Sequence, residues 1–149
     1  MFPKNLSQIS RKGTYILLLK VPNEKTLTIG KIGTYLIPKG YYAYVGSAFG
    51  SGGLNARINH HLKTVSRAHW HIDYLRKISI PIEIWYTTKD QKLEHYWASI
   101  MYNVHAFMPF IQGFGASDCR CKTHLFYSPY YPSFDALELV LSAKVWKVC

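Results

Sequence analysis

The spacing of apolar residues changes character along the chain. Gly13-Thr14-Tyr15 opens an unbroken apolar run, Ile16-Leu17-Leu18-Leu19, that ends before Pro22-Asn23. A short apolar run between turn formers reads as a buried strand. Residues 26–37, TLTIGKIGTYLI, form a second extended excursion, broken by Gly30 and Gly33 as a hairpin would be. Pro38-Lys39-Gly40 is a turn, and Tyr41 to Val45 is an aromatic strand. Successive extended elements with short connections predict an antiparallel sheet.

A helical period then takes over. In residues 51–63, Leu54, Ile58 and Leu62 recur every fourth position behind Ser51, a candidate cap, and Arg57 and His61 share a face one turn apart. Residues 69–78 read as a short helix with Ile72, Leu75 and Ile78 inward, stopped by Pro81, and 82–87 alternate like a further strand. The next helix, residues 90–105, has its stripe on Leu93, Trp97, Ile100, Met101 and Val104. Glu94 lies about 80° from the centre of that stripe, at the border of the buried face, where a carboxylate can reach a cleft. Residues 109–121 form a glycine-containing loop, 122–127 a candidate strand, and 134–144 have helical spacing. There is no internal repeat, linker or low-complexity segment. The expected fold is α/β (α+β), a central three-stranded antiparallel sheet flanked by helices, with an inserted hairpin and C-terminal additions, in one domain over residues 1–149.

Composition adds a partner class. A chain of 149 residues buries roughly 68–70% of its unfolded surface without staples. Lys and Arg number 18 against 8 Asp and Glu, a net charge of +10. That excess goes beyond what solubility requires and points to a polyanion, nucleic acid ahead of a membrane surface. Three cysteines, Cys119, Cys121 and Cys149, make an odd count that fits a reducing cytoplasm. No stretch has signal-peptide or membrane-spanning length, so a soluble, cytoplasmic protein is expected.

The richest stretch is 41–61, YYAYVGSAFGSGGLNARINHH. A strand delivers a phenol to its end, facing a cation on the following helix, which makes a phosphate-handling corner. Gly46 is read as serving close backbone approach. Gly50, Gly52 and Gly53 lack the G-x-x-x-x-G-K-[ST] pattern, which argues against a nucleoside triphosphate site. Cys119-Arg120-Cys121 with His124 lacks a second ligand pair, so the spacing argues against structural zinc. His69, His71 and Asp73 fit either a cleft lining or the start of a helix.

At these residues the chain resembles a known family. Gly13-Thr14-Tyr15 and Tyr44-Val45-Gly46 resemble the two halves of the GIY-YIG signature, each changed at its middle position. Arg57, in R-x-x-x-H with His61, and Glu94, in Leu93-Glu94-x-x-Trp97, follow in family order. YYAYVGSA, HWHIDYL (69–75) and GFGASDCRCKTHLF (113–126) are similar to segments of one branch of the GIY-YIG nuclease superfamily, sometimes fused to base-excision-repair glycosylases. The resemblance covers nearly all of residues 13–127. Gly13 and Tyr44 stand 31 positions apart, a longer gap than in many members, which the 22–40 excursion accounts for.

The resemblance implies a metal-dependent endonuclease acting on DNA, or RNA, in repair or recombination, alongside repair proteins and away from membranes. It implies Tyr15, Tyr44, Arg57 and Glu94 as catalytic residues, and Asp118 as a groove residue. Physical chemistry supplies roles. Glu94 is a ligand for a hard cation, Mg²⁺ or Mn²⁺, which one carboxylate and a substrate phosphate suffice to hold. Arg57 offers an always-charged fork for phosphate oxygens. Tyr15 or Tyr44 is the candidate base, although a phenol starts near pKa 10. His61 is an alternative proton carrier. Lys12, Arg57, Lys63 and Arg67 are expected to touch nucleic acid, with Gly46, Ser47, His69 and His71 in support. A nucleic-acid-binding module without catalysis is the rival expectation, and a protein-interaction domain in a repair assembly the third.

Overall fold

The first apolar run becomes β1 (Gly13–Val21), a strand buried at every position except Lys20. Such a strand needs cover on both faces and partners on both edges. β1 lies between β4 (Gly40–Ala48) and β5 (Ile80–Thr87), antiparallel to each, and Tyr15 stands opposite Gly46 on one side and Tyr86 on the other. The structure, a computed structural model, describes residues 11–116 and 121–148.

The three-stranded core expected from the sequence is present as β4-β1-β5, but the sheet is larger. β7 (Leu125–Ser128) pairs with β4, the two-residue β6 (Met108–Pro109) pairs with β7, and β8 (Lys144–Lys147) pairs with β5. The order is β6-β7-β4-β1-β5-β8, six strands. β6 and β8 escaped the sequence reading because neither alternates cleanly; both are defined by a neighbour's edge. Pro81 sits inside β5 where the register against β1 shifts between Leu18 and Leu19. There it stands opposite Leu19 of β1, while β8 pairs only with residues 83–86, so the proline lies at the strand end beyond the β8 ladder. The expected hairpin forms a separate two-stranded sheet, β2 (Lys25–Ile29) with β3 (Gly33–Ile37).

Alternate residues of β1 feed two cores. Tyr15, Leu17 and Leu19 pack with Leu54 and Ile58 of α1 (Gly53–Leu62) and Ile72 and Leu75 of α2 (His71–Arg76). Ile16 and Leu18 pack with Trp97 and Met101 of α3 (Glu94–Tyr102) and Leu137 and Leu141 of α4 (Asp135–Leu141). The helices are shorter than their periodic patterns. α1 is capped not by Ser51 but by Gly52, at φ 83, with no side-chain cap. α2 begins after Trp70 because Asp73 Oδ2 accepts the backbone N–H groups of His69 and Trp70, at 2.8 and 2.9 Å. The helical spacing of 134–144 divides into α4 and β8, separated by Ser142 in the left-handed region. Among the described residues no helix is long and apolar enough to cross a membrane.

Candidate active site

The two signature halves meet because β1 and β4 are adjacent and antiparallel. Tyr15 and Tyr44 both point to the α1/α2 side of the sheet. Gly46, opposite Tyr15, leaves the space that the phenol occupies: a Cβ there would stand 2.4 Å from Cζ and 2.5 Å from the hydroxyl of Tyr15. Gly115 (φ +68) does the same for Tyr44, where a Cβ would lie 2.9 Å from the ring.

Beneath the surface, Tyr15 Oη and His61 Nε2 are 2.6 Å apart. His61 is held from behind: Arg76 Nε donates to its carbonyl at 2.7 Å and Nη1 of the same arginine donates to the Ser79 carbonyl at 2.7 Å. Burial raises the Tyr15 phenol well above its ordinary value, and Tyr44 adds to this, while the Arg57 guanidinium works in the opposite direction. Burial pushes the His61 imidazole from 6.5 down to about 3, with His60 contributing. At neutral pH the pair is therefore a protonated phenol beside a neutral imidazole. Nδ1 of His61 is buried and makes no hydrogen bond among the described residues.

Above this pair a cleft of about 560 Å³ opens, lined by Tyr44 and Ser47 of β4, Arg57 of α1, Glu94 and His95 of α3, and Lys92 just before α3. His69, Trp70 and His71 form one wall. Arg57 is oriented by stacking: its Cζ lies 4.4 Å above the Trp70 ring, a contact that favours the cation electrostatically. His71 is fixed by accepting the Gly115 N–H through Nδ1 at 2.9 Å, and burial lowers its pKa. Glu94 reaches the cleft from the opposite face of the sheet. The N–H of Leu93, the residue before α3, donates to Thr14 Oγ1 at 3.3 Å, so the middle residue of the first signature half anchors the helix end that carries the carboxylate. Glu94 Oε2 also lies 3.2 Å from His124 Nδ1.

The family Domain of unknown function DUF123 matches residues 14–144. The chain belongs to that family. No curated protein and no solved structure matches it. The span of DUF123 runs from the second residue of β1 to the first residue of β8, and so takes in the whole of the cleft.

Within this DUF123 chain the structure brings together Tyr44, Ser47, Arg57, His69, His71 and Glu94 around one space, with Tyr15 and His61 directly below. Lys12, Lys63 and Arg67 are exposed and do not line the cleft. Asp118 lies outside the described residues, as do Cys119 and Arg120. Asp73 is not a cleft residue; it caps α2 and pairs with His60 Nε2 at 3.0 Å, and these hydrogen bonds hold its carboxyl below the ordinary value against the opposing effect of burial. Sequence reading passed over Lys92, Trp70 and His95. Lys92 had one signal, its position just ahead of a helix start, whereas the roles of Trp70 and His95 depend on which elements fold against them.

Proposed function

We propose that this chain is a metal-dependent endonuclease of the GIY-YIG type that hydrolyses DNA phosphodiester bonds. One observation carries the reading: residues distant in sequence, a phenol (Tyr44), a stacked guanidinium (Arg57) and a carboxylate (Glu94), line one cleft. Phosphodiester hydrolysis needs those three classes, for proton removal from water, charge neutralisation at the phosphoryl oxygens and a hard-cation ligand. The net charge of +10 supports a polyanionic substrate.

The donor set fits Mg²⁺ or Mn²⁺. Glu94 is the one acidic residue lining the cleft among the described residues, its side chain is 23% exposed, and a hydrated hard cation needs no more than one carboxylate plus a substrate phosphate. Bound there, such an ion would neutralise phosphate charge and lower the pKa of a coordinated water. Arg57 and Lys92 would hold the non-bridging oxygens, Arg57 with its fork pre-set by Trp70. Tyr44 is the phenol that faces the cleft, so it would touch the attacking water. Tyr15, fully buried and protonated, would hold its place against His61 and support the floor.

Incubation with branched, flapped and linear DNA in Mg²⁺ and Mn²⁺ tests the reading. Cleavage by wild type that falls about 10²–10³-fold in Arg57→Ala, the loss typical of a transition-state charge donor, is the expected outcome. Absence of cutting, or equal cutting by Arg57→Ala and Glu94→Ala, sinks it. Salt-sensitive DNA binding without cleavage, retained in Glu94→Ala, would instead favour a binding module.

A further inference from the structure

Beside the cleft lies a second group of metal-binding side chains that the proposed chemistry leaves unused. His95 in the first turn of α3, Cys121 in the loop before β7, and His124 just ahead of β7 each offer one ligand atom, and these atoms all lie within 4.8 Å of one another. The rings of His95 and His124 are 6.0 Å apart and inclined at 50°. Around a tetrahedral zinc, ligand atoms stand roughly 3.3–3.5 Å apart, given bonds of about 2.0–2.3 Å. Closure therefore asks for about an ångström of side-chain movement, within reach of an exposed His95 and a half-buried Cys121.

We infer that His95, Cys121 and His124 form a binding site for a borderline-soft divalent ion, Zn²⁺, distinct from the hard-cation position at Glu94. Two imidazoles and a thiolate select zinc over magnesium or calcium. The surroundings agree in two further ways. With Nε2 of His124 as ligand, Nδ1 would face Glu94 Oε2, 3.2 Å away in an ion-pair contact that a small turn of the ring would align into the carboxylate support metal-bound histidines commonly have. A pocket of about 270 Å³ lined by His95, Ser99, Cys121 and Lys122 provides a path from solvent and room for a fourth ligand. Binding releases the Cys121 thiol proton to solvent as the S–Zn bond forms. The ion would tie the first turn of α3 to the segment ahead of β7. Glu94 and His95 are neighbours in that turn, so the same tie would hold Glu94 at the cleft. Only that last consequence rests on the nuclease reading; the ion site does not.

The experiment is metal analysis of the full chain purified without chelator, followed by Co²⁺ titration of chelator-stripped protein. About one zinc per chain is expected, with a thiolate-to-cobalt charge-transfer band and tetrahedral d–d bands. Cys121→Ser should abolish the charge-transfer band and weaken binding at least about tenfold, as should His95→Ala. His105→Ala, an exposed histidine outside the group, should change neither. Wild type purified with no more zinc than Cys121→Ser, or a cobalt spectrum lacking the thiolate band, overturns the site. Neither readout depends on DNA cleavage, so failure here and failure of the nuclease reading are separable.

Discussion

The two faces of the central sheet use burial differently. The face covered by α3 and α4 holds Ile16, Leu18, Trp85, Met101, Phe107 and Phe126. The acid it buries, Glu83, accepts hydrogen bonds from Trp85 Nε1 at 2.8 Å and from the Tyr131 hydroxyl. The face covered by α1 and α2 buries Tyr15, Tyr42, Tyr44, His61 and Asp73, and leaves Nδ1 of His61 without a hydrogen bond among the described residues. Burying a polar atom without a partner costs stability; the first face supports the fold, and under the proposed function the second would hold chemistry in place. Glu94 joins them: its helix packs on the apolar face and its first turn opens into the cleft on the other.

Substitutions on each face should therefore fail in different ways. The largest expected effect is on stability: Phe107→Ala should cost about 3–5 kcal/mol in chemical denaturation, while leaving activity per folded molecule near wild type. Arg57→Ala should invert the pattern, losing about 10²–10³ in cleavage rate with a denaturation midpoint close to wild type. Equal stability losses in the two variants would erase the distinction between the faces. Gly46→Ala sits between them. Its methyl would meet the Tyr15 phenol, and the overpacking should cost about 1–3 kcal/mol and lower cleavage in the same variant.

The smallest expected effect is on pH dependence. His61 titrates near 6.5 when unfolded and about 3 when folded, so between those values the unfolded chain binds the extra proton. Its contribution is constant above about pH 6.5 and is lost as pH falls through that window, at most about 2 kcal/mol between pH 7 and 5. Asp73, whose folded pKa is depressed, adds losses only below its unfolded value of 3.8. Replacing His61 with Phe should flatten the stability profile between pH 7 and 5. An unchanged slope would show that His61 is not buried as a neutral group.

The strand cores, the 25–37 hairpin and the order of the signature residues were legible because each depends on near neighbours. Period, turn formers and tripeptide motifs are all local. Tyr15, Tyr44, Arg57 and Glu94 were named from the family resemblance and His61 from its chemistry beside Arg57, and the fold places all five in or directly under one cleft. Helix ends were less legible: the cap at Gly52 depends on a φ value rather than on pattern, and Asp73, which the sequence allowed as a cleft residue or a helix start, is settled as the latter by its hydrogen bonds.

By itself, the sequence determined a basic α+β chain and its buried apolar strand, and the family resemblance pointed to Tyr44, Arg57 and Glu94 of the candidate cleft and to Tyr15 and His61 beneath it. Tertiary structure alone decided the remainder. It widened the sheet from three strands to six, since edge strands such as β8 exist only where a neighbour offers hydrogen bonds. It buried Tyr15 and left Tyr44 at the cleft, a difference set by where α1 and the 113–116 turn pack over the sheet. It also turned Cys121 and His124, an unpromising pair at their own spacing, into a three-ligand group by bringing His95 to them. Metal sites are defined by distances in space, and no spacing along one segment could show that a residue from a helix 26 positions earlier completes the set.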